Sequence, residues 1–568
     1  MKGRHSMAFG VHAELAKVDI NSFFNNSGSF TFNSNGTNYA LASFLLGYIY
    51  TFNQGSGQYL NDRNQFYGFY TQDSWRATNK LTVNYGVRYE PFKPWSEANH
   101  KIMQFSPTAY AAGRVSTVYP LAPPGLLFPG DAGVPEQGVQ ANYKNVMPRV
   151  GFAYDVHGDG TLSVRAGVGL FYDTRLPALF NQTPSEITPF STSVALTTPQ
   201  GSLSNPYQGI TDPFIGPPQP PSSYVFPLPV QVEAYDPSGI FHVQLTYAYN
   251  LALQQQLSNS TIMTIAYAGS RSSHMFVQDD YNPSIYIPGS TLGANARRGY
   301  KNFSDIDIAS MSGNGAYNSL QASIQHRIVN GLSVTGNYTF AKAMDTLPYN
   351  TIDVNPSSGP GAPYAIPIYQ PNYKRLDIGP SDFDRTNVFS GYYVWQFPKL
   401  TRSNFAVREI VNGWETTGII QAQSGQPLTV TAGSDISGTA LLSDRAVWNG
   451  QRPYGGGACI SSKVPCKNYL NPADFSLPAA GTIGNVVKGS FRGPGYFDWD
   501  AGISRSFRFE GSKAFVFKAE YFNAINRNNL NNPNTVLEGA GFGAISSTAA
   551  TESPITPRVA QFSGKLVF

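Results

Sequence analysis

The chain has 568 residues, a formal net charge of +4 and 13% charged residues, with 34 Tyr, 37 Phe, 55 Gly and 41 Pro. Soluble globular chains carry about 25% charged residues, and the basic residues here are scattered, with no run longer than Arg297-Arg298, which excludes a nucleic-acid footprint. A mean hydropathy of -0.24 excludes a bundle of membrane helices, and the longest nearly apolar run, Ala40 to Tyr50, falls short of the ~20 residues a spanning helix needs.

The first 60 residues are ambiguous in register. Met7 to Ala16 reads as one strand and Gly47 to Asn53 as another, with no apolar signal-peptide core before them. From there the dominant pattern has period two. Leu81, Val83, Tyr85, Val87 and Tyr89 share one face, and Thr82, Asn84, Gly86, Arg88 and Glu90 the other. Successive side chains of a strand point to opposite sides, so this segment has one apolar and one wet face. Val164 to Tyr172 repeats the pattern, with Phe171 an exception on the polar side. So do Val243 to Leu253, Leu332 to Phe340 and Phe515 to Tyr521. Strands of about ten residues with such alternation suit a tilted crossing of a bilayer, whereas soluble strands usually run ~5–6 residues.

Short and long connections alternate from about residue 63 onward. Short turns are predicted at Thr78-Asn79, His157-Gly158-Asp159-Gly160, Ser258-Asn259, Asn330-Gly331 and Gly511-Ser512, several with the Asn-Gly or Asp-Gly signal of tight hairpins. Between them lie long Pro-, Gly-, Ser- and Asn-rich segments at about 93–145, 175–239, 273–315, 344–383, 426–494 and 527–556. Membrane barrels sort their links this way, with short periplasmic turns and long extracellular loops. The last strand, Pro557 to Phe568, follows a long loop and ends on an aromatic residue. The expected fold is therefore all-β: an antiparallel transmembrane β-barrel wall of about 15–16 strands with long extracellular loops.

No enzyme constellation is present: neither His-Glu-x-x-His, nor G-x-S-x-G, nor a phosphate-binding Gly-Lys-Ser/Thr loop occurs. No cofactor or metal is expected, and the protein is read as not an enzyme. The wet strand faces carry Arg88, Glu90, Arg165, Arg327, Lys518 and Glu520 as candidate lumen-facing residues. They either tune what passes or docks, or form pairs that only stabilise the wall. Arg505 shares the apolar face of Trp499, Ile503, Phe507 and Phe509, so either it snorkels or the register slips there. Tyr392, Trp395, Trp414, Tyr496 and Trp499, near strand ends, suit interfacial girdles. Asp382 with Asp384, and Asp305 with Asp307, are read as solvated loop ends. Cys459 and Cys466 lie in a Gly/Pro/Ser-rich stretch and form a candidate loop disulfide if the chain is exported, or two free thiols if it is not.

Several segments, in this order, resemble the barrel of Oar-like TonB-dependent outer-membrane receptors. These are Gln72-Asp73-Ser74-Trp75-Arg76 with Lys80 to Glu90, Pro148 to Tyr154 with Val164 to Asp173, and Tyr317 to Ala322 leading to Tyr338 to Lys342. Gly413-Trp414 with Ser424 to Pro427, and Glu520 to Asn523 with Asn526-Arg527, follow. The tail from Gln561 to Phe568 is similar to the terminal signal read by the barrel-insertion machinery, with Phe562, Leu566 and Phe568 as its candidate residues. The resemblance covers nearly the whole chain and implies a barrel of about 22 strands. It also implies a plug inside the barrel, a small regulatory-type domain and a signal peptide before the plug, and energy delivered through TonB. This sequence shows no plug, N-terminal domain or signal peptide, so it is read as a C-terminal portion of such a receptor, residues 1–568 forming part of the wall.

The resemblance makes the chain a transport component of the cell outer membrane, whose partners would be outer-membrane lipid, the TonB system and an unidentified solute, a glycan or a peptide. A surface adhesion protein or a porin is the alternative. A soluble β-propeller is disfavoured, because no repeat of 40–50 residues is visible.

Overall fold

The computed structural model describes the chain except residues 1–2, 23–24, 35, 175–183, 185–186, 212–213, 215–219, 330, 350–362, 403, 443, 456–465, 467, 510–512 and 550–556. One seventeen-stranded sheet dominates it. Three of its strands are short (Ser96–Glu97, Val230–Tyr235 and Gly379–Pro380). The others are β1 (His5–Ser22), β2 (Gln58–Arg76), β3 (Leu81–Tyr89), β4 (Val146–Asp155), β5 (Leu162–Tyr172), β6 (Leu245–Ser258) and β7 (Thr261–Asp280). Then come β8 (Phe303–Val329), β9 (Leu332–Asp345), β10 (Asn387–Gln396), β11 (Trp414–Gln423), β12 (Tyr496–Arg508), β13 (Ala514–Phe522) and β14 (Val559–Val567). The expected 15–16 strands lie between the number of long strands and the total. Each long strand pairs antiparallel with the next, from β1–β2 through β13–β14. Among the described residues no ladder joins β14 to β1.

The alternation of the sequence becomes two faces. Directly opposite residues of an antiparallel pair lie on one side of the sheet, so the face can be followed strand by strand. Leu251 opposes Tyr267, which opposes Leu320, which opposes Phe340. All four are exposed large apolar side chains. Polar residues one step away follow the other face: Asn250 opposes Ala268, and Gln321 opposes Thr339. A one-residue slip would exchange the faces wholesale, so the apolar stripe fixes the register. At three places a tyrosine ring lies over a cross-strand glycine: Tyr70 over Gly10, Tyr249 over Gly269 and Tyr393 over Gly418. A Cβ on any of these glycines would meet the ring closer than 3.0 Å.

Connections are sorted by end. Residues 77–80, 156–161 and 259–260 make tight links, as predicted. In the second, Asp155 accepts the N–H groups of Gly158 and Gly160 at 2.8 and 2.9 Å, and both glycines take positive φ. Asn330 and the Gly511-Ser512 turn lie outside the described residues. One link on this side is not a tight turn: residues 397–413 contain a helix, Phe405–Val411. The first long connection differs from expectation. Thr51–Gly55 is not a wall strand but the centre of a small three-stranded sheet with Ser29–Thr31 and Ser193–Thr197. Its own core is Ile49, Phe52 and Tyr207.

Among the described residues, every hydrophobic cluster sits at the long-loop end. The largest gathers Met103, Phe105, Leu126 and Phe128 from one loop against Val230 and Val232 from another, on Phe303, Ile306 and Ile308 of β8. A second cluster is built from residues between Leu428 and Phe542. Strands β7 and β8 rise into this cap: beyond Ser273, β7 has no β6 partner, and the outer part of β8 instead takes Val230–Tyr235 in parallel. No described helix is long and apolar enough to cross a membrane, which says nothing of crossing by strands.

Candidate functional site

A cavity of about 780 Å³ lies against the polar face of β1 to β6. Its floor is nearly bare backbone. Gly86 opposes Arg149, Arg149 opposes Gly169, and Gly151 opposes Gly167. Arg149 is exposed, and its guanidinium lies 4.3 Å from the centre of the Phe171 ring. A Cβ on Gly169 would press on both partners, at 3.0 Å from Arg149 Cγ and 3.1 Å from the ring. Phe171, which broke the sequence alternation, is thus on the polar face as the platform of an arginine. Arg88 also lines the cavity. It is bound to Glu90 two residues along the same strand, and Glu90 accepts the Thr174 hydroxyl at 2.7 Å.

The ladder registers put Arg165, Lys518 and Glu520 on this same face. Arg165 opposes Ala153 and Ala252 and donates to the Ser163 hydroxyl at 3.3 Å. Lys518 and Glu520 pair with each other at 2.6 Å. Arg327 sits beside the β8–β9 turn, its N–H on the Ser260 carbonyl. The candidates do not form one site, because they are spread from β3 to β13. Two pairs, Arg88–Glu90 and Lys518–Glu520, are neighbours within a strand.

Arg505 keeps to the apolar face without any register slip, opposite Trp414 and Phe517. It is buried between aromatic rings, 4.2 Å from the Phe507 centroid and 5.7 Å from that of Trp414, and donates to the Ile410 carbonyl at 2.9 Å. Helix Phe405–Val411 supplies that carbonyl, which also accepts the Trp414 indole N–H. Of the five girdle candidates, Trp395, Trp414 and Trp499 lie on the apolar face. Tyr392 and Tyr496 do not: Tyr392 opposes Ile419 on the polar face, and Tyr496 is buried. Phe562, Leu566 and Phe568 are exposed on the apolar face or its continuation, with Phe562 opposite Ala519 and Leu566 opposite Phe515. Cys466 is buried, with its N–H on the Ile545 carbonyl at 2.8 Å; Cys459 lies outside the described residues.

The cap holds charges that the sequence did not announce. Arg445 is bound to Asp377, and both are fully buried. Lys488 reaches Asp345 at 2.6 Å, Arg298 reaches Asp280 at 2.8 Å and Arg492 reaches Asp384 at 2.5 Å. Asp384 is therefore not a solvated loop end: it is buried and also accepts the Ala343 N–H at 2.7 Å. Asp307 is likewise buried. In the ladders it stands between Glu233 and Asp280, three carboxylates abreast on adjacent strands. Burial first, then the charges of Glu233, Asp280 and Asp305, hold the Asp307 carboxyl well above the usual range against the opposing pull of Arg298. Burial pushes Asp279 up to about 7, opposed by Lys374. No group of three or more His, Cys, Asp or Glu among the described residues is arranged to hold a metal ion.

A two-faced sheet of long strands, apolar outside, with tight turns at one end and a folded loop layer at the other, defines an outer-membrane barrel wall. The chain belongs to the outer membrane beta barrel domain family, which it matches over residues 1–561, and its place is the outer membrane. No curated protein matches it by sequence. Among solved structures it is similar to the outer membrane transporter YddB from Escherichia coli (11% identity, 99% of this chain and 52% of that one, TM-score 0.48). It is also similar to the ferripyoverdine receptor of the outer membrane of Pseudomonas aeruginosa (12%, 99% and 45%, 0.43). A third likeness is to the ferric yersiniabactin uptake receptor FyuA from Yersinia pestis (9%, 100% and 52%, 0.41). The chain spans about half the length of these structures.

Proposed function

We propose that residues 1–568 form wall and ligand-capturing cap of a TonB-dependent receptor that takes up a bulky solute, a glycan or a peptide. The observation that carries this reading is the cap: the long loops are not a fringe but a folded layer with its own cores and buried ion pairs, standing over a polar-faced wall with a cavity. Preformed sites of this kind suit selective capture better than free diffusion. In this reading further strands complete the barrel between β14 and β1. TonB acts on a plug supplied by sequence outside residues 1–568, and the barrel-insertion machinery reads Phe562, Leu566 and Phe568. Arg88, Glu90, Arg165, Arg327, Lys518 and Glu520 face the lumen.

The test is uptake. Cells making the full receptor, with and without TonB, are offered a panel of fluorescent oligosaccharides and peptides. TonB-dependent accumulation of a member is expected; accumulation indifferent to TonB overturns the reading. One observation favours the alternative of a surface adhesin. Residues 23–57 contain no charged side chain, and helix Ala40–Leu46 leaves Leu41, Leu45 and Leu46 exposed. Removing the helix would then abolish attachment and leave uptake unchanged.

A further inference from the structure

We propose that the cavity on β1 to β6 is a binding site for an anionic group, a carboxylate or a phosphate, with Arg149 as its anchor. The inference deepens the receptor reading and rests on it. Three observations converge. First, Arg149 has no ion pair among the described residues, whereas its neighbour Arg88 is committed to Glu90. Of the acids nearby, Glu90 is held by Arg88 and Thr174, and the Asp73 carboxylate is taken by His5 at 2.6 Å and the Tyr85 hydroxyl at 2.8 Å. Among the described residues the Arg149 guanidinium is therefore the cationic group of this lining without an acidic partner.

Second, the guanidinium is held in place rather than left free to wander. Phe171 stacks beneath it, and a ring at this distance orients a guanidinium and leaves its N–H edge open to a ligand. Third, the strands on either side of Arg149 place glycines opposite it, Gly86 and Gly169. A Cβ on Gly169 would press on the Arg149 stem and on the Phe171 ring, so the glycine lets the two lie together, and a Cβ on Gly86 would meet Gln72 and the Thr71 carbonyl. The surrounding wall offers neutral hydrogen-bonding groups, Gln72, Asn84 and Asn250, and the ring of Tyr70. A planar fork with a clear approach matches the paired oxygens of a carboxylate or phosphate better than a neutral sugar hydroxyl.

The experiment uses the full receptor folded in detergent micelles, with a boiling-dependent gel shift as proof of the barrel. Citrate, inorganic phosphate and the neutral sugar raffinose are titrated by calorimetry. Citrate or phosphate binding, weakened by added salt, with raffinose silent, is expected. Arg149→Gln should weaken anion binding about tenfold or more, Arg149→Lys less, and Lys301→Gln, the same charge change in the cap, not at all. Phe171→Leu should weaken binding while retaining the gel shift. Binding of neither anion by a chain that still shifts on boiling, or equal binding by Arg149→Gln, overturns the anion site and leaves the receptor reading standing. A full receptor with no gel shift under any folding condition overturns the barrel reading itself.

Discussion

In the wall, Phe9 and Leu15 of β1 are 80% and 79% exposed, while in the cap Ile102, Leu126 and Ile306 have no exposed surface. In a soluble protein the first pair would be an aggregation hazard. Here the apolar stripe is the side that meets hydrocarbon, and the wall needs no core because its backbone hydrogen bonds close strand to strand. The cap stands in water and must bury its own apolar groups, so it packs like a soluble domain. One chain thus obeys two solvents, and burial has opposite meanings on either side of the membrane boundary. Charge follows the same division. Ion pairs on the wall's polar face, such as Lys518–Glu520, are partly exposed, whereas Arg445–Asp377 in the cap is cut off from water.

The comparison can be broken first at Arg445. Arg445→Ala leaves Asp377 buried without its partner and should cost the cap ~3–5 kcal/mol. The corresponding wall change, Lys518→Ala, should cost less than ~1 kcal/mol. Hydrogen exchange across residues 424–495, and urea unfolding of both variants, compare the two. If the wall change costs as much as the cap change, the division fails.

Next in size is a charge on each face of one strand. Leu320→Lys on the apolar face should cost ~2–4 kcal/mol for folding into vesicles, and Gln321→Lys, one residue along, close to nothing. Equal costs would mean that the faces are misassigned.

Acidity sharpens the contrast further. The Asp279 and Asp307 carboxyls of the cap are raised by burial, so the folded cap holds more protons than the unfolded one. Their contribution is full below the ordinary carboxylate range and is lost as pH rises from about 4 through about 7. Hydrogen exchange at residues 230–235 and 303–309, corrected for intrinsic rates, should therefore quicken about tenfold between pH 5 and pH 8, with the mid-wall amides unmoved. Asp279→Asn should flatten part of that rise. An unchanged rate in the native cap would show that these carboxyls do not govern its opening. The smallest effect concerns the proposed Cys459–Cys466 disulfide: alkylation should modify neither cysteine until a reductant is added. Modification without reductant would show two free thiols.

The wall was largely legible in the sequence because its rule is local. Alternation around Leu81 to Glu90 or Val164 to Tyr172 carries strand, face and register together, and β3 and β5 fall there. Arg505 follows its sequence parity onto the apolar face, and of the two readings the sequence left open, the register slip does not occur. What rescues it, the Ile410 carbonyl on helix Phe405–Val411, is 95 residues away and was not visible. The cap was illegible for that reason throughout. Lys488 finds Asp345 across 143 positions and Arg492 finds Asp384 across 108, and no short-range pattern records either pairing. Asp307 looked like a loop acid because its neighbours, Glu233 and Asp280, come from other strands. The cavity left a fainter trace: Phe171 in a polar register, among glycines at 167 and 169, could have been read as a platform.

The most direct test of the two-faced wall is a spin-label scan along β7 from residue 262 to 268 in lipid vesicles, reading collisions with oxygen and with a water-soluble nickel complex. A period of two is expected, with labels at 263, 265 and 267 favouring oxygen and labels at 262, 264, 266 and 268 favouring nickel. Accessibility without that alternation, or with its phase reversed, would contradict it.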